Sequence, residues 1–509
     1  MVNAPVAVET ASRLPALVFL VPIAAGFVVL FGARHRTFCH ALALLTGAFM
    51  VVAALRIAAG VLGGSVLVAW GEELRVDALS ALMVVVVSLV GFLALVYSVR
   101  YVEHGSLLEG AGLGRPERRL PLYYALVLWF LGTMAWAAVT NNVVMLYVAV
   151  EATTLSSGLL VAFLWDRRGL EAGYKYLMLL TVGVTFALLG CVVVYSAGAA
   201  TGALSGADTL LISSIRDVAP LIPRRTALVA VSLLIIGFGT KAGLMPFHSW
   251  LPDAHAEAPA PVSVLLSGVM IKVAIYALVR TVSIFFPAIP QITLFAVALG
   301  GFTMLLGVLL AMVQDDLKRL LAYSSVSQMG YVLAALALGT YLGAYGGLFH
   351  LLNHAIFKAL LFMTAGALVY ATGARRISEM GSLARRMPLT AGCFLVGALS
   401  ISGFPPFNGF MSKLTIYLAL ARSGLWWAVV VAVGTSVLTM VALIRPAYRM
   451  FWAAPTGDAG RFDAVREVPA LLWLPMVTLA GLCLLLGVVP SLAYGLLHRA
   501  AAVLAVLGV

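Results

Sequence analysis

The chain has 509 residues, of which 63% are hydrophobic and 10% charged, and its mean hydropathy is +1.07. Soluble domains carry about 25% charged residues, so too little polar surface exists here to cover a water-soluble globule. The net charge of +12 is dispersed over short polar connections, which points away from nucleic acid and toward loops on the cytoplasmic side of a membrane.

Apolar stretches recur from end to end. At about 20 residues per crossing they divide into about fourteen spans: 14–33, 38–60, 78–100, 121–139, 142–165, 173–198, 226–250, 261–284, 289–312, 319–339, 343–371, 388–418, 425–448 and 469–497. An all-α polytopic membrane protein is therefore expected. The alternation of a membrane barrel, in segments of about ten residues, is not seen. The first run, roughly Leu14 to Phe31, lacks a basic leader and a convincing small-residue cleavage site, so it reads as a retained span. Arg56 lies near the end of span 2, where its side chain can snorkel to the interface.

Basic residues concentrate on the connections after odd-numbered spans, as at Arg34, Arg36, Arg115, Arg167, Arg168, Arg385, Arg386 and Arg461. Few fall on the even-numbered connections and termini. The positive-inside bias puts the odd connections in the cytoplasm and both termini outside it.

Five groups sit deep inside predicted spans: Glu151, Lys241, Lys272, Lys358 and Lys413. A charge at mid-membrane costs about 2.5–3.5 kcal/mol even on insertion scales, and such groups face partners or water. One buried lysine is plausible as packing glue; four lysines and a glutamate on five spans point to a polar path. A lysine held out of water can exchange its proton near neutral pH, and a nearby carboxylate restores it.

Span 5 carries Glu151, with Thr153, Thr154, Ser156 and Ser157 expected to bond backbone carbonyls. Span 7 carries Lys241 among Gly237, Gly239, Gly243 and Pro246, which should break the helix. Irregular backbone at that depth is tolerated where it lines a cavity or is buried in protein. His248, Asp253, His255 and Glu257 follow the break; their spacing fits no zinc motif well. Lys272 in span 8 would link two halves. Span 10 opens with Asp315 or Asp316 as a helix cap, and Lys318 and Arg319 are expected on the cytoplasmic surface. Ser324, Ser325, Ser327 and Gln328 would hold water in an inner channel. His350, His354 and Lys358 follow each other at spacing four on one face of span 11. Histidine, with a pKa of about 6.5, suits proton exchange at working pH. A bound dication would be repelled by the lysine that continues the stripe. Span 12 repeats the broken pattern with Gly403, Pro405, Pro406 and Gly409, then Lys413.

Two interrupted spans, five apart, each with a lysine, suggest two inverted five-helix repeats, spans 4–8 and 9–13. The expected divisions are 1–120 for spans 1–3, 121–285 and 286–450 for the repeats, and 451–509 for span 14. The cysteines Cys39, Cys191, Cys393 and Cys483 are far apart, and there is no nucleotide fingerprint. Neither a metal nor another cofactor is expected.

The stretches KAGLMPFHSWLPDAHAEAPAPVS, DDLKRLLAYSSVSQMGY, HLLNHAIFKALLF and SGFPPFNGFMSK resemble the antiporter-like subunits of respiratory complex I, multisubunit sodium/proton antiporters and energy-converting hydrogenases. VEATTLSSGLL and GLEAGYKYLML look most like hydrogenase-4 component F. The resemblance implies that Glu151 pairs with Lys241, that Lys272 is a central relay, and that Lys413 ends the second half-channel. It also implies a shorter pumping subunit without a long lateral helix, held by neighbours. The expectation is a proton-translocating subunit of a redox-driven complex, without a redox centre of its own. Its partners would be other membrane subunits and a soluble hydrogenase or iron–sulfur arm. The alternatives are a cation/proton antiporter subunit and the membrane half of an inorganic-carbon accumulator beside a zinc protein.

Overall fold

A computed structural model describes residues 8–32, 35–103, 116–285, 289–455 and 462–505. Arg34, Arg115 and Arg461 of the charge pattern lie outside the described residues. The chain is a multi-pass helical membrane protein: twelve described helices are long and apolar enough to cross a bilayer. The reason is the unsatisfiable backbone. In hydrocarbon every N–H and C=O must pair within its own segment, and the apolar runs do so as helices.

The elements before the site are β1 (Val8–Ala11), α1 (Leu14–Gly32), α2 (Arg36–Leu62), β2 (Ser65–Ala69), β3 (Leu74–Val76), α3 (Ala78–Tyr101) and α4 (Pro116–Val139). A small sheet runs β1-β2-β3, with β1 parallel and β3 antiparallel to β2. The sequence reading holds no strand, because these segments are too short to rise above the helical pattern around them. α5 (Val143–Val161), α6 (Arg167–Ala200), the short α7 (Ile212–Val218) and α8 (Arg224–Ala242) follow.

α8 stops at Gly243, whose φ of 75° is left-handed, and whose N–H bonds the Thr240 carbonyl. A glycine is the residue that ends a helix this way without a Cβ penalty. The chain resumes as α9 (Trp250–Glu257) and α10 (Ala260–Leu265), widens into a π turn over Leu266–Met270, and continues as α11 (Ile271–Val282). Then come α12 (Pro290–Met312), α13 (Leu317–Leu336) and α14 (Tyr341–Thr372). α15 (Pro388–Ser402) stops at Gly403 with φ 77°, and α16 (Asn408–Arg422) resumes it. α17 (Trp426–Phe451), α18 (Ala470–Val488) and α19 (Ser491–Ala505) complete the order.

The two breaks share a grammar: Gly243 and Gly403 are left-handed, a cis proline stands three residues on (Pro246, Pro406), and a phenylalanine follows (Phe247, Phe407). The expected spans 319–339 and 388–418 fall on α13 and on the α15–α16 pair, which lie outside the twelve long apolar helices. The expected single span 469–497 is corrected to two helices. α18 ends at Val488 and α19 begins at Ser491, because Pro490 cannot continue a helix.

α14 is the hub, packing against α13, α15, α16, α18 and α19. α12 and α13 approach closely where glycines face backbone: a Cβ on Gly330 would lie 2.5 Å from the Gly300 carbonyl oxygen.

The buried polar axis

Glu151 stands on α5, half-buried, and Lys241 is 1% exposed at the end of α8. They do not meet directly. Lys241 Nζ donates to the Val150 carbonyl at 2.8 Å and to Thr154 Oγ1 at 2.5 Å. Thr154 then donates to Glu151 Oε2 at 3.1 Å, while Thr181 of α6 holds Oε1 at 3.1 Å. The pairing implied by the resemblance runs here through the Thr154 hydroxyl. Thr153, Ser156 and Ser157 do bond backbone carbonyls as expected, and Ser157 also meets the Tyr176 hydroxyl at 2.6 Å. Thr154 is the exception. Nothing local marks it, because the lysine that recruits it is 87 residues away.

The break beside Lys241 leaves no open carbonyl at Thr240. The indole Nε1 of Trp250 donates to it at 2.9 Å, beside the Gly243 N–H. The second half is arranged differently. Lys241 precedes its break, but Lys413 follows its own, on α16. Lys413 Nζ donates to Ser436 Oγ at 2.7 Å and lies 4.6 Å from the centroid of the Tyr331 ring. Ser436 lies outside the motifs, so only the fold brings it to the site.

Lys272 is fully buried at the start of α11, and its Nζ bonds the Ser267 carbonyl of the π turn. Ser267 Oγ meets Ser325 Oγ of α13 at 2.8 Å. Ser325 and Ser324 both donate to the Leu321 carbonyl, which also accepts from Lys358 Nζ at 2.7 Å. Lys358 further donates to Ser324 Oγ at 2.5 Å. Wide turns of the π kind recur at functional sites because they present backbone groups that an α-helix keeps paired.

His350, His354 and Lys358 line one face of α14, all with no exposed surface. His350 lies between Gln328 Oε1 and Ser412 Oγ, each at 3.0 Å. Both ring nitrogens of His354 are buried without a protein partner, as is Gln328 Nε2. Buried polar atoms of this kind pair with ordered water when protein does not supply the bond. Asn353 and Asn408 bond each other beside the second break. Ser327 instead donates to the Met304 carbonyl.

The structure therefore gives three local groups: Glu151 and Lys241 joined by Thr154, Lys272 and Lys358 joined through Ser267, Ser325 and the Leu321 carbonyl, and the His354–His350 stripe with Ser412 beside His350 on the helix that carries Lys413. Gly243, Pro246, Pro405 and Pro406 stand at the breaks, next to the lysines but without contact chemistry of their own.

Of the residues after the first break, Asp253 meets Arg319 at 2.7 Å and Glu257 meets Arg375 at 3.0 Å. They point away from His255, which is buried and stacked on Phe362 at 4.6 Å. Among the described residues no group of three or more His, Cys, Asp or Glu is placed to hold a metal ion. Asp316 caps α13 as expected, accepting from the Arg319 N–H at 3.0 Å, and Asp315 binds Ser378. Lys318 is corrected. It is 8% exposed and donates to the Ala258 carbonyl at 2.8 Å, because the α9–α10 corner covers it.

Comparison with known proteins adds a family. The sequence profile described as "NADH:quinone oxidoreductase/Mrp antiporter, TM" matches residues 140–439, and that of "NADH-Ubiquinone oxidoreductase (complex I), chain 5 N-terminus" matches 70–107. NADH-quinone oxidoreductase subunit N from Desulforudis audaxviator is 36% identical, over 81% of this chain and 80% of the relative. Hydrogenase-4 component B from Escherichia coli is 34% identical over 84% of this chain, which spans 64% of that longer protein. Among solved structures, a chain of the Mrp complex from Dietzia sp. DQ12-45-1b superposes with a TM-score of 0.84 at 26% identity, covering 97% of both chains.

Proposed function

The chain belongs to the family of NADH:quinone oxidoreductase and Mrp antiporter membrane subunits, and from that membership we propose that it is a proton-translocating subunit of a redox-driven, multisubunit membrane complex. The observation that carries the reading is the axis itself. Four lysines and two histidines are buried, and the lysines are held by hydroxyls and carbonyls of neighbouring helices, with no carboxylate ion pair to any of the four among the described residues. No packing requirement explains so many cations at this depth.

In this reading a proton moves by exchange between neighbours. Thr154 passes hydrogen-bond polarity between Lys241 and Glu151, so a charge change near Glu151 strengthens or weakens the hold on the Lys241 proton. Ser267 and Ser325 couple Lys272 to the Lys358 cluster, and His354 and His350 lead on to Lys413. Electron transfer takes place in partner subunits, which include further membrane chains and a hydrogenase-like or iron–sulfur arm. The chain crosses a cell inner membrane fourteen times, with both termini outside the cytoplasm. Residues 121–285 and 286–450 form inverted repeats, whose shared break grammar supports the assignment.

The test uses the chain in its native complex, reconstituted in vesicles with an internal pH dye. Lys241→Met and Glu151→Gln are expected to lower proton pumping at least about tenfold, equal to about 1.4 kcal/mol, while redox turnover persists. Wild-type pumping by both variants overturns the proposal. The Mrp-like superposition favours one second reading, a cation/proton antiporter subunit. Sodium-dependent proton exchange without any redox substrate would select it.

A further inference from the structure

A cleft of about 400 Å³ opens at the end of the bundle where α6, α9, α13 and the segment after α14 meet. Its walls are charged, and Asp253, Glu257, Asp316, Arg319 and Arg375 are among them. Asp253 and Glu257 are four residues apart on α9 and therefore share the helix face turned to the cleft. His255 lies between them in sequence and so projects from the opposite face, into the protein. It has no exposed surface, and neither ring nitrogen has a protein partner. Its ring stacks on Phe362, whose own ring has Lys358 Nζ 5.8 Å from its centroid.

Lys318 completes the arrangement. It donates to the Ala258 carbonyl at the C-terminal end of α9. The charges acting on it are Arg375, Asp316 and Glu257, all of them cleft residues. The charges acting on His255 are Lys358, Lys318 and Lys272. Lys318 is thus anchored at the end of α9, three residues on from His255, and the Phe362 ring that stacks on His255 is the same ring that Lys358 approaches from the centre. A buried imidazole with both nitrogens unpartnered is costly as packing, since a buried polar group without a hydrogen bond keeps its full desolvation cost.

We propose that Lys318 and His255 form the proton inlet from the charged cleft to the Lys272–Lys358 centre. The inference rests on the proton-translocation reading above and deepens it. The transfer balances within the ring. One imidazole nitrogen takes a proton from Lys318 as the other releases its proton toward Lys358. The ring is left as the other neutral tautomer, and a ring flip resets it. Lys318 regains its proton from the cleft.

The experiment measures dye-reported proton transport by the native complex in vesicles, with Lys358→Met as reference. His255→Gln is expected to slow transport at least about tenfold while leaving redox turnover. His255→Ala should recover part of the rate when imidazole is added, with a pH dependence that follows imidazole. As a variant that leaves the core intact, Glu171→Cys places a thiol at the rim of the cleft, where the side chain is 59% exposed. All four native cysteines are buried. Capping that thiol with a trimethylammonium methanethiosulfonate should block transport. Normal transport by His255→Gln, or by the capped protein, overturns the inlet. If Lys358→Met also transports normally, the whole proton reading fails, whereas its failure beside a normal His255→Gln removes the inlet alone.

Discussion

Thr154 shows how much a single hydroxyl decides. Its hydroxyl accepts from Lys241 and donates to Glu151. Thr154→Val keeps the shape and removes the bridge; a hydrogen bond to a charged group is worth about 1.5–3 kcal/mol. Proton transport should fall about tenfold in Thr154→Val and remain in Thr154→Ser. Equal rates in the two variants would count against a bridging role. Asp77 offers a stability test away from the axis. It accepts from the Ser80 N–H at 3.0 Å and meets Arg280 at 2.6 Å. Burial pushes its carboxyl up, but the Arg280 guanidinium and the Ser80 N–H outweigh that and hold it below its usual range. Because the folded value is the lower one, the pair's contribution is complete above the unfolded-chain value. It is lost as pH falls through the lowered folded value. Asp77→Asn should cost about 3 kcal/mol at neutral pH. It should also flatten the acid decline expected in the detergent thermal midpoint below about pH 4. An unchanged decline would remove Asp77 from that account. Charged residues within apolar runs are legible from composition, so the seven axis residues stood out. Thr154, Ser436 and Lys318 did not, because their partners come from distant helices.

At the scale of elements the two breaks are the informative features. Glycine, proline and phenylalanine recur at matching offsets, and that pattern was readable along the chain. The placement of the lysines relative to the breaks follows from it too: Lys241 before, Lys413 after. What the pattern withheld is how each break is closed. Trp250 caps the Thr240 carbonyl, whereas Ser436 donates to the Ser402 carbonyl at 3.0 Å and accepts from Lys413. Gly403 is left-handed, and a Cβ there would also lie 2.9 Å from Lys413 Cδ. Gly403→Ala therefore strains the backbone by about 1–2 kcal/mol and displaces the lysine stem. Transport should drop more than thermal stability does. A variant with normal transport would mean that the lysine tolerates a moved stem. The π turn was not legible at all, since LSGVM carries no residue that forbids an ordinary α-helix.

For the whole molecule, topology is the quantity that charge predicts. Cysteines introduced at Gly202 and at Arg376 lie on connections after an even and an odd span. A membrane-impermeant maleimide should label Cys at 202 from outside intact cells and Cys at 376 only in inverted vesicles. The reverse pattern would invert the proposed orientation. The helical class and the positions of most spans were legible because hydrocarbon permits little else. The small sheet and the split of the last span were not, since short polar segments are decided by what packs on them. Glu151 is half open on the flank made by α5 and α6, where Leu155, Leu159, Met178 and Val182 are exposed around it. A bare carboxylate is a poor neighbour for lipid tails. Lipid tails alone are therefore a poor cover for this flank, and a polar surface suits it better.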